Sequence, residues 1–369
     1  MPDEFMRLEM LPALHGDCLL IEYGDGARTR RLLIDGGPIG AYGVLKDRLD
    51  GLPAGDRRFE LMVLSHVDTD HIDGLVRLFA NSKPWPFVVK DVWFNGWRHL
   101  EQAHGLLGGK QGEYFSALLA QRLDDGCWNG AFGGKVVVVH DDEALPVQTL
   151  AGGMKLTLLS PTVSKLAKMR DAWRKDIGDA IEPGDLDAAW QLLAKQKRYL
   201  PGQGLLGSTP QLDALLEKQS RPDNTAANGS SIALLAEYGG KSCLLLADAH
   251  PDVVCASLKR LLEARGLERL PVDAVKVSHH GSKGNTTDEL MSLIESPRFL
   301  FSTNGAQFGH PDQEAVRRVI GRTAHTKATL YFNYTTDRNR EWASADLKRQ
   351  MKYTAKYNTD EGASLVVTL

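Results

Sequence analysis

Short apolar segments that end in an aspartate or a histidine recur along this chain, and they constrain its fold more than any other feature. Aliphatic segments of this length, bounded by glycine and polar residues, are typical of buried strands. Stretches with apolar residues at helical spacing follow several of them. The sequence therefore predicts sheets in the middle of the molecule and helices outside them. The polar strand ends are LLIDGG with Asp35, SHVDTDHIDG with His66, Asp68, Asp70 and His71, LLLADAH with Asp248, KVSHHGS with His279 and His280, and NGAQFGHPD with His310.

The chain of 369 residues, with 43% hydrophobic and 25% charged residues, is long enough for one large or two modest globular domains. From Thr162 to about Asp223 the composition changes to a charged, tryptophan-containing helical stretch. Strand patterns continue on both sides of it, with the segment KVVVVH before it and a hairpin around Gly239 and Gly240 after it. We therefore expect a single domain over residues 1–369 that carries a helical insertion at residues 162–223.

The charge and the cysteines limit the partners and the compartment. The formal net charge is −3 and the pI is near 6.4, so the protein lacks the global positive field of duplex-binding proteins. A polyanionic substrate must therefore meet a local basic patch or bound metal. No apolar run approaches the roughly 18 residues of a membrane span, and the acidic N-terminus is unlike a signal peptide. Four widely spaced cysteines without a CxxC pair favour reduced core residues. These features predict a cytoplasmic protein without membrane association.

The spacing within SHVDTDH suggests how metal ions could be held. His66 and Asp68 alternate along an extended segment, so both side chains can point to the same side. Asp70 and His71 are adjacent and are expected to point apart, which suits two metal ions on either side of the loop. Asp248 arrives from another predicted strand and is a suitable residue type to bridge the two ions.

Five motifs carry a resemblance to a known family. In order between Leu14 and Pro311, they are HGDCLLIEYGDG with LLIDGG, SHVDTDHIDG, NGSSIALLAEYGGKSCLLLADA, KVSHHGSKGNT and NGAQFGHPD. With them the sequence resembles the metallo-β-lactamase superfamily, and more narrowly the ComEC-type metallo-hydrolase domain in free-standing soluble form. The resemblance implies an α/β fold, a four-layer αβ/βα sandwich, and a metal-dependent hydrolase with two divalent ions.

The resemblance also assigns residues. It implies that His66, Asp68 and the bridging Asp248 hold one ion. Asp70, His71, Asp248 and one histidine of the HHGS pair would hold the other; His279, which comes first after the strand, is preferred, and His280 is the alternative. Asp35 would orient the cluster or begin a turn. Asp70 and His310 are the expected catalytic residues, and the expected substrate contacts are Ser282, Lys283 and Asn304.

Two positions depart from the commoner pattern of the superfamily. Asp68 stands where a histidine is usual, and NGSS, residues Asn228 to Ser231, stands where a further histidine would be. Asn228 and Ser231 are therefore alternative ligands as well as loop residues. Exchanging imidazoles for oxygen or amide donors makes the first site harder, which favours manganese or magnesium over zinc. The same change could instead leave the first site weak or empty.

Three functions are compatible with these residues. The leading hypothesis is a phosphodiesterase or nuclease that uses a metal-bound hydroxide on nucleic acid or a nucleotide, with His310 assisting the leaving group. The second is an amide, ester or lactone hydrolase in which Asp68 tunes zinc. The third is a partner-controlled effector of a defence or toxin system, with latent activity and with the helical insertion as the docking surface for a protein partner.

Overall fold

The computed structural model describes residues 4–80, 85–102, 110–177, 181–200, 225–323, 326–360 and 362–369. In the first half of the chain the strands are β1 Phe5–Met10, β2 Leu19–Gly24, β3 Thr29–Ile34, β4 Arg58–Phe59, β5 Leu61–Val63, β6 Val88–Val89, β7 Val92–Trp93, β8 Val147–Thr149 and β9 Lys155–Ser160. The helices between and after them are α1 Tyr42–Asp50, α2 Thr69–Ala80, α3 Trp97–Gln102, α4 Lys110–Arg122, α5 Val163–Ile177 and α6 Leu186–Leu193.

The second half continues the alternation. Its helices are α7 Ala226–Gly229, α8 Pro251–Arg265, α9 Asp288–Leu293, α10 Gln313–Thr323 and α11 Ala345–Met351. Its strands are β10 Ala233–Tyr238, β11 Lys241–Leu245, β12 Leu270–Pro271, β13 Ala274–Lys276, β14 Ile294–Glu295, β15 Arg298–Phe301, β16 Thr329–Phe332, β17 Thr354–Tyr357 and β18 Leu365–Thr368.

Two mixed sheets dominate the described part of the chain. One has the strand order β18-β1-β2-β3-β5-β7, with antiparallel pairs from β18 to β3 and parallel pairs from β3 to β7. The other has the order β17-β16-β15-β13-β11-β10-β9-β8, parallel from β17 to β11 and antiparallel from β11 to β8. The parallel regions of both sheets carry the crossover helices, as parallel pairing requires.

The strands are buried on both faces, which explains their nearly continuous apolar sequence. In β2, Leu19 and Ile21 join an apolar cluster shared with the other sheet, whereas Leu20 packs with the helices. In β11, Cys243 lies in the same shared cluster and Leu244 faces the other helical layer. Alternate side chains thus fill the space between the sheets and the space under the helices, and the expected four-layer αβ/βα sandwich is confirmed.

The helical stretch between β9 and β10 is partly described. Its residues 163–177 and 186–193 form α5 and α6, and Trp173 of α5 is fully buried in the core beneath α2 and α4. The Trp173 indole donates to the Glu113 carboxylate of α4 at 2.8 Å. Residues 178–180 and 201–224 of the predicted insertion lie outside the described residues.

Two local predictions have opposite outcomes. The hairpin is confirmed, because β10 and β11 pair antiparallel and its turn residues Gly239 and Gly240 have φ of 56° and 71°, as a type I′ turn needs. The segment KVVVVH, predicted as a strand, forms only an isolated bridge between Val139 and Thr162 and no regular strand. The Asn95 side chain donates to the carbonyl of Val137 and accepts from its N–H, both at 2.8 Å, so a side chain replaces a neighbouring strand.

Other predictions concern the chemistry of the core and of the surface. The four cysteines are unpaired, with Cys18, Cys243 and Cys255 buried and Cys127 half-buried. No helix in the described part of the chain combines the length and the apolar composition that a membrane crossing requires.

Helix α2 is held against the loop that follows β3 by a close backbone approach. The Gly36 N–H donates to the His71 carbonyl at 2.8 Å, and the Gly74 N–H donates to the Gly37 carbonyl at 2.9 Å. A Cβ on Gly74 would overlap the carbonyl oxygen of Gly36. The two backbones can therefore touch only because both positions lack a side chain.

We predict that Gly74→Ala lowers the free energy of unfolding by about 1–3 kcal/mol, because the new methyl group forces α2 away from the loop. Gly321→Ala in α10 is the matched control, since a Cβ there meets nothing within 4 Å. It should stabilise the protein by about 0.5–1 kcal/mol through helix propensity. Chemical denaturation of both variants measures the difference; similar values for the two would contradict the packing argument.

Candidate metal centre

The polar residues predicted from the strand ends meet at one edge of the sandwich. Asp35 follows β3 and His66 follows β5, two parallel neighbours of the first sheet. Asp248 follows β11, and His279 and His280 follow β13, parallel neighbours of the second sheet. Because parallel strands end at the same edge and the two sheets pack face to face, these side chains converge on one point.

One carboxylate oxygen lies at the centre of this point. Oδ2 of Asp248 is 3.5 Å from Nε2 of His71, 3.7 Å from Nε2 of His279, 3.7 Å from Nε2 of His280 and 3.9 Å from Nε2 of His66. Asp248 is only 2% exposed. These separations are long for direct hydrogen bonds. They are close to the roughly 3.4 Å between two ligands bound at about 2.1 Å in a tetrahedral site.

The other ring nitrogen of three histidines is engaged by the protein. Nδ1 of His66 lies 3.0 Å from the Ser65 hydroxyl, and Nδ1 of His280 lies 3.0 Å from the Ser302 carbonyl, to which it donates. The Nε2 atoms of His66, His71 and His280 are buried and have no hydrogen-bond partner among the described residues. A histidine fixed through Nδ1 with Nε2 turned inward is the usual arrangement of a metal ligand, so these residues fit a metal ion.

Asp35 fixes the third of these histidines. Its carboxylate lies 2.8 Å from Nδ1 of His71 and accepts hydrogen bonds from the N–H and the hydroxyl of Ser65, both at 2.7 Å. Its backbone has a φ of 60°, a left-handed conformation that aspartate adopts more readily than most residues. Asp35 therefore orients His71 and the segment that begins at Ser65, beyond any role in the turn.

Asp70 and His71 do not point apart. Both lie in the first turn of α2, and Oδ2 of Asp70 is 3.8 Å from Nε2 of His71. The expectation of divergence assumed an extended backbone, but the helix begins at Thr69, and neighbouring side chains of a helix are separated by about 100° around its axis rather than about 180°. Asp70, His71 and His280 form one candidate ligand group.

Asp68 lies beside His66 at the opening of the site. Its Oδ2 is 3.5 Å from Nε2 of His66, so the two side chains face each other as the alternation predicts. The Asp68 side chain is 43% exposed, whereas that of His66 is fully buried. A first ion held by His66, Asp68 and Asp248 would therefore be the one more open to solvent.

The two histidines of the HHGS pair differ in burial and in contacts, and the preferred ligand of the prediction, His279, is the more exposed of the two. His280 is fully buried, and its Nε2 is 3.5 Å from Oδ2 of Asp70 as well as 3.7 Å from Asp248, so the geometry favours His280 as a ligand. His279 is partly exposed, and its Nδ1 lies 3.0 Å from the amide oxygen of Asn285. Both histidines have left-handed backbones, with φ of 46° and 53°, which turn His280 inward although it comes second after the strand.

Asn228 and Ser231 lie at the border of the cluster, and both are buried. The Asn228 amide nitrogen is 3.4 Å from Nδ1 of His279. Ser231 is fully buried, and the N–H of the next residue, Ile232, donates to the Ser65 carbonyl at 3.0 Å. The NGSS segment thus holds the His66 loop in place from the second sheet.

A buried ion pair beneath the histidines was not predicted. Nζ of Lys276 donates to Oδ2 of Asp17 at 2.7 Å, and both side chains are almost completely buried. Oδ1 of Asp17 lies 3.4 Å from Nδ1 of His280. Lys276 stands inside an otherwise apolar strand segment, VDAVKVS, and a charge at such a position needs a buried partner. That rule points to a partner for Lys276 but does not identify Asp17, 259 residues away.

Charge couples the members of the cluster. Burial disfavours ionisation of Asp248, but the imidazoles of His279, His71 and His280 outweigh it and hold the pKa of Asp248 well below its usual value. Burial likewise disfavours protonation of His280, yet Asp248 and Asp17 raise its pKa to about 9. A divalent cation can replace imidazolium protons as the partner of these carboxylates, so metal binding should release protons.

His310 sits at the rim, next to His279, with their rings 5.3 Å apart. Burial, assisted by His279 and His280, lowers the pKa of His310 to about 3. This shift favours the neutral form of the imidazole. Its position at the rim suits hydrogen bonding to a substrate.

The three predicted substrate contacts lie in loops that hydrogen bonds hold in place. The Ser282 hydroxyl accepts from the Gly284 N–H at 3.2 Å, and the Lys283 N–H donates to Asp312 at 2.8 Å. The Asn304 amide oxygen accepts from the N–H two residues later at 3.0 Å. Asn304 lines a separate cavity of about 390 Å³ with Leu14 and Tyr334, away from the candidate ligands.

A cleft of about 500 Å³ opens onto the cluster. Asp68 and Asp70 lie in its wall, together with α5 and the start of α7. The helical stretch between β9 and β10 therefore shapes the approach to the candidate metal centre. The described residues that line the cleft are Val67, Asp68, Thr69, Asp70, Gln111, Met169, Ala172, Asp176, Thr225, Ala226, Ala227 and Phe308.

Comparison with known proteins gives one sequence relative. No model of a known protein family matches the chain. ComE operon protein 3 of Bacillus subtilis (strain 168) is 30% identical to it over 97 residues, which are 26% of this chain and 12% of that protein. The match supports the resemblance to ComEC-type proteins over the aligned segment.

Solved structures with similarity to this chain include metallo-β-lactamase fold proteins. YhfI from Bacillus subtilis is 12% identical with a TM-score of 0.43, and the match covers all of both chains. Zinc-bound PqqB from Methylobacterium extorquens is 13% identical with a TM-score of 0.40, covering 96% of this chain and 88% of PqqB. A variant of the CmlA β-hydroxylase is 13% identical with a TM-score of 0.38, covering all of this chain and 54% of CmlA.

We predict that Lys276→Met lowers the free energy of unfolding by about 3–5 kcal/mol, because the buried carboxylate of Asp17 loses its lysine partner and keeps only the longer contact with His280. Lys259→Met is the control: Lys259 pairs with Glu289 where both side chains are more than half exposed, and solvent screens that pair, so its loss should change the free energy of unfolding far less. Denaturant titration measures both. The double variant Asp17→Asn with Lys276→Met should regain part of the loss; equal small effects of the two methionine variants would contradict the assignment.

We also predict that His280→Ala reduces metal affinity by more than about 100-fold, whereas His279→Ala reduces it by about 10-fold or less. The expectation rests on the buried Nε2 of His280 between Asp70 and Asp248. Metal content by elemental analysis and affinity by calorimetric titration test it, with circular dichroism as the check on folding. A larger loss of metal affinity in His279→Ala than in His280→Ala would identify His279 as the ligand.

Proposed function

We propose that this protein is a metal-dependent hydrolase that cleaves phosphodiester bonds in nucleic acid or a nucleotide. The observation that carries the proposal is the buried carboxylate of Asp248, one oxygen of which faces four imidazole nitrogens at 3.5–3.9 Å. With two divalent ions between them, His66, Asp68 and Asp248 would hold the first, and Asp70, His71, Asp248 and His280 the second.

The ligand atoms of the candidate site support attack on the phosphorus of a phosphodiester rather than on the carbonyl carbon of an ester or amide. Three carboxylates, Asp68, Asp70 and Asp248, contribute oxygen donors, which favour hard cations such as manganese and magnesium. Bound ions of this kind supply a nucleophilic water and neutralise charge that develops on a phosphoryl group. Zinc remains the expected metal of the alternative, an ester, amide or lactone hydrolase.

The charge of the cleft supports a strict metal requirement. Its described lining includes Asp68, Asp70 and Asp176 but no lysine or arginine. A phosphodiester would be repelled by these carboxylates unless cations at the centre reverse the local charge. The apolar side chains of Val67 and Met169 border the same space.

The remaining residues are assigned supporting roles. Asp35 keeps Nε2 of His71 turned inward through its contact with Nδ1. The Lys276–Asp17 pair supports His280 from below. His310, whose neutral form the lowered pKa favours, is assigned to a hydrogen bond with the substrate at the rim of the site.

The test is a panel of substrates against metals. Purified protein is freed of metal, reloaded with manganese, magnesium or zinc, and assayed with an oligonucleotide, a generic phosphodiester, a carboxylic ester and a lactone. We expect phosphodiester cleavage that is highest with manganese. Asp70→Ala should lower it by about 1,000-fold or more, since loss of a metal site removes several kcal/mol of transition-state stabilisation. Asp68→His should move the metal preference towards zinc.

The controls separate the competing functions. Lys259→Met, on the exposed surface, should retain full activity. Robust ester or lactone cleavage without phosphodiester activity would overturn the proposal in favour of the second hydrolase class. Full metal occupancy without turnover of any substrate would favour a partner-controlled module, and an unchanged metal preference of Asp68→His would contradict the role given to that residue.

A further inference from the structure

An exposed aromatic ring stands at the mouth of the candidate metal centre. Phe308 is 37% exposed, and it is the only aromatic residue among the large hydrophobic residues that are exposed in the described ranges. It lines the same cleft as Asp68 and Asp70. An aromatic ring at the mouth of a polar cleft offers a flat apolar surface on which a planar ligand group can stack.

The ring is surrounded by other flat groups. It lies nearly parallel to His310, with an interplanar angle of 27° and centroids 6.2 Å apart. It meets His279 edge to face at 6.5 Å and His15 edge to face at 6.1 Å. Since Nε2 of His279 is 3.7 Å from Asp248, Phe308 is separated from the candidate metal ligands by a single imidazole.

The loop that carries the ring is held in place before any substrate binds. The Asn304 N–H donates to the Leu14 carbonyl at 2.8 Å, and the Gly309 N–H donates to the Gly305 carbonyl at 3.2 Å. A preorganised loop loses little conformational entropy when a ligand stacks on it. Phe308 is therefore presented as a fixed surface.

A cation lies close to this rim. Arg338 is exposed, and its side chain packs beside Gly305 of the same loop. Its guanidinium makes no hydrogen bond or ion pair with any residue that the structure describes. A guanidinium next to an aromatic surface is the combination that tracks a phosphate backbone while the bases stack.

We propose that Phe308 is a base-stacking residue, so that the substrate is a strand with unpaired bases whose phosphate reaches the metal centre while a neighbouring base stacks on the ring. This inference rests on the proposed function for the nature of the bond that is cut. Stacking on an aromatic ring tolerates every base, so little sequence preference is expected. Bases already stacked in a duplex are less accessible, so single strands should bind better.

The experiment compares two strands that differ only in their bases. A fluorescent ten-residue deoxythymidine strand and a strand of the same length with abasic residues are titrated with the protein in calcium, and gels verify that neither strand is cut. We expect the wild-type protein to bind the thymidine strand about 5- to 150-fold more tightly, the range that corresponds to 1–3 kcal/mol for one stacked base. Phe308→Ala should abolish this difference, and Phe308→Trp should keep it.

Matched controls distinguish stacking from general apolar contact. Phe308→Leu keeps an apolar side chain without a ring and should behave like Phe308→Ala. Leu267→Ala removes another exposed apolar side chain, one that does not line the cleft, and should change nothing. Equal binding of the two strands by the wild-type protein, or no measurable binding of either, would overturn the inference.

Cleavage of the same strands, assayed separately with manganese, keeps this inference apart from the proposed function. If both strands are cut with equal efficiency, the phosphodiesterase proposal stands and the stacking role of Phe308 is refuted. If the thymidine strand binds preferentially through Phe308 but no strand is cut with any metal, the stacking residue stands and the hydrolase proposal fails.

Discussion

The structure depends on a concentration of buried charge at one edge of the sandwich. Asp248 is surrounded by imidazoles, Asp70 and Asp17 lie close to His280, and Lys276 compensates Asp17 from below. Burying so many ionisable groups is costly unless each has a partner. Neighbouring elements contribute partners to the outer ring nitrogens of three histidines: the Ser65 hydroxyl, the Ser302 carbonyl and the Asp35 carboxylate. The packed sandwich holds these ionisable side chains at fixed positions, as a metal centre requires.

Backbone geometry is as important as side-chain chemistry in assembling this edge. Helix α2 brings Asp70 and His71 to the cluster only because Gly36 and Gly74 allow its backbone to touch the loop after β3. The left-handed residues His279 and His280 turn their side chains towards Asp248, and Asp35, also left-handed, turns its carboxylate towards His71 and Ser65. These positions carry strain that regular strands would avoid, and strained backbone is common where function needs a fixed geometry.

Much of this arrangement could be predicted from the sequence. The layered fold, the hairpin at Gly239 and the strand ends that meet at the site follow from apolar segments and turn residues, which act locally. The errors arise where tertiary contacts decide. Asp70 and His71 converge because they lie in the first turn of a helix rather than in an extended segment. The choice between His279 and His280 depends on backbone angles that no spacing rule contains. Lys276, in an apolar strand, indicates a buried partner, but the sequence does not identify Asp17, which is 259 residues away along the chain.

The position of α5 has a consequence for how such a protein could diversify. The same helix packs Trp173 into the core and presents Met169, Ala172 and Asp176 to the cleft or its border. One face of α5 thus packs in the core, and another face lines the cleft. Changes at Ala172 can alter what enters the cleft at little cost in folding, whereas Trp173 is buried and Asp176 also accepts a hydrogen bond from the first residue of α4. Selection for new specificity would therefore concentrate on a few positions spaced one helical turn apart.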